Sequence, residues 1–222
     1  MALEYDAIPL LVLVGAFNSQ IMRDPAWIKK YLFPQSNQKE IAVNMGIALI
    51  NNEISSSMKI DGIDIKVESG KIQITPNDFS QSGCNAIVEL VENLSASLPH
   101  TPLIAYGINC RFTEPITKSI LQKNKAIASF FENKSSCDYI KIERRQKYEK
   151  SLLTFSITEE CKEKQFRLLY DFNFHFSIEN SKTAPMMLMK DAIIDGDIGK
   201  YLTYARSVAE SISSEISHKK GN

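Results

Sequence analysis

The sequence predicts an α+β fold, a mainly antiparallel sheet covered by long helices. The segments 102–112 and 166–176 alternate apolar and polar side chains with a period of two. That alternation is typical of strands with one buried face. Three segments, 78–97, 114–132 and 197–216, repeat apolar residues every three or four positions, as amphipathic helices do. Runs of strands followed by long helices favour α+β over a wound parallel sheet.

The N-terminal part is predicted to begin with a strand and a short helix. Residues 8–17 are almost continuously apolar, which fits a central strand. Asp24 can accept hydrogen bonds from free backbone N–H groups at the start of a helix, and Pro25 suits its first position. The stretch 41–75 is predicted to be rich in strands and to contain a hairpin whose loop includes Gly70.

Prolines organise the middle of the chain. Pro99 and Pro102 are predicted to end the helix 78–97 and to start the first alternating strand. The sequence Thr113-Glu114-Pro115 is predicted to begin the helix 114–132, because proline is tolerated in a first helical turn.

The C-terminal part repeats this pattern. Residues 138–147 and 151–158 are predicted to form a hairpin, which the strand 166–176 and the helix 197–216 follow. Residues 217–222 are predicted to be a frayed tail.

The order of these elements has two interpretations. Three strands precede a helix in 41–97 and again in 138–216, which fits a pseudo-duplicated βββα arrangement with halves 1–112 and 113–216. The alternative is that the order arises by chance in one α+β protein. In either case we expect a single α+β unit that spans 1–222.

Composition excludes several classes of protein. The chain has 222 residues, of which 44% are hydrophobic and 23% are charged, so extended disorder is not expected. The 26 Lys and Arg residues balance 26 Asp and Glu residues, so no global field attracts nucleic acid or an anionic membrane.

The cysteines and the N-terminus predict a cellular compartment. The four cysteines are widely spaced and form no Cys-x-x-Cys pair, which favours reduced, structural thiols over a zinc or redox site. Acidic residues precede the first apolar run, unlike in a signal peptide, and no segment approaches the roughly 20 apolar residues that span a bilayer. We therefore expect a cytoplasmic protein without a membrane contact.

Three short motifs are shared with a known family. They are Phe17-Asn18 followed by Pro25-Ala26-Trp27, His100-Thr101-Pro102 followed by Gly107-Ile108-Asn109, and Asn173-Phe174-His175-Phe176. Together they resemble a sporadically distributed family of uncharacterised bacterial proteins. The resemblance implies a bacterial, cytoplasmic unit that uses the whole chain. It implies no activity, and no catalytic residue is carried over from it.

Polar residues of the two alternating strands form the first candidate site. If the strands pair, side chains from both meet on one face, and an imidazole lies on a loop between two prolines. The candidate binding residues are Asn109, Arg111, Asp171, Asn173, His175 and His100. Histidine beside a carboxylate and a guanidinium could bind an anion or transfer protons. The favoured alternative is a polar sheet face, with each imidazole hydrogen-bonded to a neighbour.

The run 141–150 is the second candidate site. Its basic and aromatic residues are Arg144, Arg145, Lys147, Tyr148 and Lys150. Basic groups beside an aromatic ring could hold phosphate and stack a base. Because Glu143 and Glu149 dilute the charge, a solvated hairpin end is the favoured interpretation.

The leading functional hypothesis is a non-catalytic bacterial interaction module that acts in an oligomer or a multi-protein assembly. Its partner would be another protein or a second copy. One alternative is an enzyme that uses His175, Asp171 and Arg111, and another is a nucleic-acid binder that uses 141–150. We expect no cofactor and no metal, because the chain lacks a phosphate loop, a dinucleotide fingerprint and a complete calcium-loop pattern.

Overall fold

The computed structural model describes residues 3–39, 41–48, 53–116, 120, 139–162, 165–178 and 197–218. Ten strands in these residues form one antiparallel sheet. They are β1 (Glu4–Tyr5), β2 (Leu11–Gly15), β3 (Val43–Ala48), β4 (Glu53–Ile60), β5 (Ile63–Glu68), β6 (Lys71–Pro76), β7 (Leu103–Ile116), β8 (Tyr139–Tyr148), β9 (Ser151–Lys162) and β10 (Gln165–Ser177). The helices described are α1 (Pro25–Leu32), α2 (Gln81–Ser97) and α3 (Asp197–His218).

The strand order is β3-β4-β5-β6-β2-β7-β10-β9-β8, and β1 pairs with β7. The chain divides into two compact units. The strands β7 and β10 and the helix α3 each have some residues in one unit and some in the other. Unit 1 contains the described residues of Met1–Asp6, Cys110–Phe174 and Leu202–Asn222, and unit 2 those of Ala7–Asn109 and His175–Tyr201.

The hairpin predicted in unit 2 is confirmed. Along β5 the buried side chains Ile63, Ile65 and Val67 alternate with exposed ones, and β6 alternates in the same way. Antiparallel register places Ile65 opposite Ile74, so the apolar positions of both strands share one face. Gly70 has a φ of +68° in the loop, a conformation that costs glycine little because it has no Cβ.

The short helix α1 is confirmed with its predicted cap. The carboxylate of Asp24 accepts a hydrogen bond from the Ala26 N–H at 2.9 Å, and Pro25 is the first helical residue. The Asn93 side chain on α2 donates to the Leu32 carbonyl at 3.0 Å and so ties α2 to the end of α1.

The alternation predicted for β10 is confirmed. Tyr170, Phe172, Phe174 and Phe176 are buried, whereas Asn173 and His175 are exposed. In unit 1 this strand adjoins β9, which pairs with β8 in a ten-residue-long antiparallel register from Tyr139↔Glu160 to Tyr148↔Ser151. The predicted hairpin is therefore confirmed and longer than expected.

The predicted fold class is wrong. The described residues are mostly sheet, with β7, β9 and β10 reaching 14, 12 and 13 residues, and they do not form a sheet covered by long helices. The physical reason is clearest at Thr113-Glu114-Pro115, where a helix was expected. These residues continue β7, because Phe112, Glu114 and Ile116 extend its buried face with a period of two.

The helices 78–97 and 197–216 are found as α2 and α3, although α2 starts only after the cap residue Ser80. Several other predictions concern residues outside the described part of the chain. They are residues 117–119 and 121–132 of the predicted helix, and residues 49–52 of the strand-rich stretch. Residues 137–138, which are one of the four cysteines and the start of the predicted hairpin, and residues 219–222 of the tail also lie outside the described part. Among the described residues, no helix is long and apolar enough to cross a membrane.

Candidate functional site

Arg111 and Asp171, two of the predicted site residues, form an ion pair in unit 1. Arg111 Nε donates to Asp171 Oδ1 at 2.5 Å, and Arg111 Nη1 lies 3.6 Å from Asp6 Oδ2. Partial burial alone would lower the pKa of the Arg111 guanidinium. The hydrogen bond and charge of Asp171, with a smaller contribution from Asp6, outweigh this effect and raise that pKa. The pair thus links β7 to β10.

The other four predicted site residues are divided between the two units. Asn109 belongs to unit 2, and its side-chain amide donates to the Pro9 carbonyl at 3.1 Å. His175 and His100 are exposed residues of unit 2, and Asn173 is an exposed residue of unit 1. Within unit 1, the structure brings together Arg111 and Asp171 and adds Asp6, which sequence reasoning did not select.

A cavity of about 310 Å³ lies in unit 1 beneath α3. Tyr204, Val208 and Ile212 line it from the helix. They recur every four residues, so they form one stripe along α3, next to the more deeply buried Leu202, Ala205 and Ala209. The stripe is half-buried and leaves an apolar helix surface facing the cavity.

The sheet supplies the opposite wall of the cavity. Leu153, Phe155 and Ile157 point into it from alternate positions of β9, and Phe172 adds a ring from β10. The centroids of Phe155 and Phe172 are 4.7 Å apart, so the two rings pack together. This wall is therefore apolar and aromatic.

An edge of the cavity is formed by β8. Ile142, Arg144 and Gln146 line it, and each is directly opposite a cavity residue of β9: Ile157, Phe155 and Leu153, respectively. Arg144 and Gln146 are thus polar side chains beside an otherwise largely apolar lining.

Three charged residues on the other face of β8 are paired with one another. The Glu143 carboxylate accepts from Lys141 at 2.8 Å and from Arg145 at 3.2 Å. The hydrogen bond and charge of Lys141 are the main reason that the pKa of Glu143 is lowered. Arg144 points to the cavity face and forms no ion pair with any residue that the structure describes. It is a cation beside an apolar cavity.

Three aromatic rings pack together near the hairpin end of unit 1. Tyr148 lies 4.2 Å from Tyr204 and 5.5 Å from Phe174, measured between ring centroids. The contact fixes Tyr204, which also lines the cavity. Tyr148 is therefore engaged inside the protein, whereas the nucleic-acid hypothesis needs an exposed ring.

A buried carboxylate holds α3 to the sheet. Glu114 on β7 is 4% exposed; its Oε1 accepts from the Tyr170 hydroxyl at 2.8 Å and its Oε2 from the Ser213 hydroxyl at 2.6 Å. The network joins β7, β10 and α3, and its Ser213 follows the cavity residue Ile212 in sequence. Burial, together with the adjacent Glu114 carboxylate, raises the pKa of Tyr170 well above its ordinary value.

The Tyr170→Phe variant should show how much the raised pKa of Tyr170 contributes to the pH dependence of the free energy of unfolding. Because the folded-state pKa lies above the unfolded value of about 10, wild-type stability is intact below about pH 10 and falls above it. The fall should reach about 1.4 kcal/mol per pH unit. The variant lacks this slope, but should be about 1–3 kcal/mol less stable at neutral pH, since Glu114 loses a donor.

Urea unfolding of both proteins from neutral to alkaline pH checks this expectation. The stability gap between wild type and variant should narrow above about pH 10. A gap that stays constant over that range would show that Tyr170 does not titrate differently in the folded state.

Sequence reasoning selected Arg144 only as part of a nucleic-acid surface and did not find the cavity. The alternation Ile142-Arg144-Gln146 against Leu153-Phe155-Ile157 was visible as a hairpin pattern. It could have shown that Arg144 shares a face with the apolar residues and that Arg145 does not. The missing information was the position of α3 over that face.

Metal and thiol chemistry have little support in the described residues. Among them, no group of three His, Cys, Asp or Glu side chains could hold a metal ion. Cys84 and Cys110 are buried, Cys161 is half-buried, and none of these three cysteines forms a disulfide with a described residue. Burial raises the pKa of the Cys84 thiol, which lowers its reactivity.

Comparisons with known proteins give no function. No protein-family model matches the chain, and no curated protein matches it. The chain has a weak structural likeness to the crystal structure of DynU16, from the dynemicin biosynthetic locus. The match covers 95% of this chain and 97% of that one, at 9% sequence identity and a TM-score of 0.20. A likeness at that TM-score carries no argument about fold or function.

Proposed function

We propose that the protein is a non-catalytic binding module, whose unit 1 takes an apolar small molecule into the cavity beneath α3. The observation that carries this proposal is the cavity itself, about 310 Å³ in volume and lined mainly by aliphatic and aromatic side chains. Its volume is at the lower end of the range of small-molecule sites, about 300–1,000 Å³.

The lining explains why such a ligand would bind. Val208, Ile212 and Phe155 are half-buried, so they expose apolar surface that a ligand would remove from water. Each methylene transferred from water into such a site contributes about 0.8 kcal/mol. A ligand with several methylenes could thus offset the entropy lost on binding.

This proposal retains the non-catalytic character of the leading hypothesis and replaces its protein partner with a small molecule. The alternative enzyme that uses His175, Asp171 and Arg111 is less favoured, because Arg111 and Asp171 already engage each other and the His175 side chain is exposed. The alternative nucleic-acid binder that uses 141–150 is less favoured, because Tyr148 packs against Tyr204 and Phe174 and because Glu143 pairs with both Lys141 and Arg145. A protein partner or self-association stays a prediction.

Titration with N-phenyl-1-naphthylamine, an uncharged apolar dye, tests the proposal. The dye should show saturable fluorescence enhancement with the wild-type protein. The Val208→Phe variant should bind it at least about tenfold more weakly, since the larger ring occupies the cavity. Val88→Phe is the matched control, because Val88 is a half-buried valine of α2 in unit 2.

Equal binding by wild type and Val208→Phe would contradict the proposal. The proposal would also fail if the wild-type protein bound no dye and light scattering showed that it is a dimer, which Val208→Phe converts to a monomer. That result would mean that a second copy covers the cavity. Circular dichroism confirms that each variant is folded before its binding is compared.

A further inference from the structure

We infer that the ligand of this cavity is an amphipathic carboxylate, whose apolar chain fills the cavity and whose headgroup is bound by Arg144. The inference rests on the proposed function and adds the chemical class of the ligand. It comes from one contrast on β8, between neighbouring arginines that point to opposite faces.

Arg145 has a partner in the protein, whereas the structure describes none for Arg144. Arg145 lies 3.2 Å from Glu143, which also pairs with Lys141, so both of these cations have a carboxylate partner within the protein. Among the residues described, no carboxylate is paired with Arg144, although it lines the cavity directly opposite Phe155. The cation at the cavity is thus available to a ligand.

Arginine in this position suits a carboxylate. Its planar guanidinium presents a fork of N–H donors that matches the two oxygens of a carboxylate. The attraction is stronger next to apolar walls than in bulk water, because the local dielectric is lower. Gln146 lies two residues further along the same face and adds an amide that can also donate to an oxygen.

The lining restricts where the charge of the ligand can be. Of the described lining residues, Arg144, Gln146 and Tyr204 carry side-chain donors, whereas Val208, Ile212 and Phe172 offer none, so an anionic group among these three would be desolvated without compensation. Arg144 is exposed, so a headgroup bound there keeps part of its hydration. A charged end at β8 and an apolar end beneath α3 therefore define the ligand.

Decanoate and decanol are the probes for this inference, because they share an apolar chain and differ in the charge of the headgroup. Calorimetric titration at neutral pH, below the micelle-forming concentration of decanoate, should show that decanoate binds about 10–100-fold more tightly than decanol. Arg144→Gln should remove this preference, because it should weaken the binding of decanoate far more than the binding of decanol.

Two further variants separate headgroup recognition from general charge. Arg145→Gln is the matched control and should retain the preference, since Arg145 is paired with Glu143 on the other face. Arg144→Lys should retain part of it, because lysine keeps the charge but loses the fork. Both arginines are exposed, so these changes should not affect folding.

Equal affinity for decanoate and decanol in the wild type would overturn the inference, although the proposed function would stand. A preference that Arg144→Gln and Arg145→Gln reduce equally would also overturn it, since the cause would then be net charge. If neither decanoate nor decanol binds and N-phenyl-1-naphthylamine does not bind either, the proposed function itself fails.

Discussion

Replacing Glu114 with leucine is expected to lower the free energy of unfolding by about 2–4 kcal/mol. The Tyr170 and Ser213 hydroxyls would both lose their acceptor, and each buried donor left without a partner costs about 1–3 kcal/mol. Part of this loss is offset, since leucine avoids the cost of burying a carboxylate. Urea unfolding followed by circular dichroism measures the change.

The triple variant Glu114→Leu, Tyr170→Phe, Ser213→Ala provides the control. It removes the acceptor together with both donors, and replacing both partners of a buried hydrogen bond by apolar groups can be nearly neutral. We therefore expect it to recover at least half of the stability lost in the single variant. A single variant within about 0.5 kcal/mol of wild type would contradict the role given to this network.

The Glu114 network also has a consequence for the proposed function. Ser213 follows Ile212 on α3, so the hydrogen bond to Glu114 helps to fix the helix surface that lines the cavity. We expect α3 to be held less firmly in Glu114→Leu than in the triple variant. Glu114→Leu should therefore bind N-phenyl-1-naphthylamine more weakly than the triple variant does. The two measurements together connect stability to the binding site.

Replacing Gly83 with alanine is expected to destabilise unit 2 by about 2 kcal/mol. This is the opposite of the usual result, since replacing glycine with alanine normally stabilises a helix. Alanine normally gains about 1 kcal/mol over glycine in a helix. At Gly83, however, a Cβ would lie 1.7 Å from the Asp78 carbonyl oxygen and 2.8 Å from its carbonyl carbon. Overpacking of this kind costs about 1–3 kcal/mol or more.

The segment at Asp78 cannot move away without breaking other contacts. Its carboxylate accepts from the Ser80 N–H at 2.9 Å and from the hydroxyls of Ser80 and Ser82. These hydrogen bonds, chiefly from the Ser80 hydroxyl, hold the pKa of Asp78 below its ordinary value. Ser80 is the cap of α2, and losing such a cap costs about 0.5–2 kcal/mol.

Gly199→Ala is the matched control, because Gly199 is the third residue of α3, as Gly83 is of α2. Among the described atoms, the nearest to an added Cβ there is Gln81 Oε1, at 3.7 Å, which is an ordinary contact. This variant should gain about 0.5–1 kcal/mol. Trp27, the single tryptophan, lies on α1 in unit 2 and can report unfolding there; equal effects of both substitutions would refute the steric argument.

The elements that sequence reasoning predicted correctly are those whose cause is local. The alternation of β10, the Asp24 cap with Pro25, and the Gly70 loop each depend on a few adjacent residues. The period of two and the preferences of proline and glycine are enough to predict them.

The predicted fold class failed where a local signal and a distant contact disagreed. Pro115 favours a helix start, but Glu114 is buried in β7 because Tyr170 and Ser213, far away in sequence, donate to it. The same holds for the candidate site. Alternation predicted that Arg111 and Asp171 share a face if their strands pair, and an ion pair joins them in the structure. The cavity needed the packing of α3, which no local pattern specifies.

Methyl NMR of the isotope-labelled protein during titration with decanoate tests the central claim most directly. The proposal predicts saturable shifts of the methyl groups of Ile142, Ile157 and Ile212, with those of Ile65 and Ile72 in unit 2 unchanged. No saturable shift, or shifts that centre on unit 2 and leave the three cavity isoleucines unmoved, would contradict it.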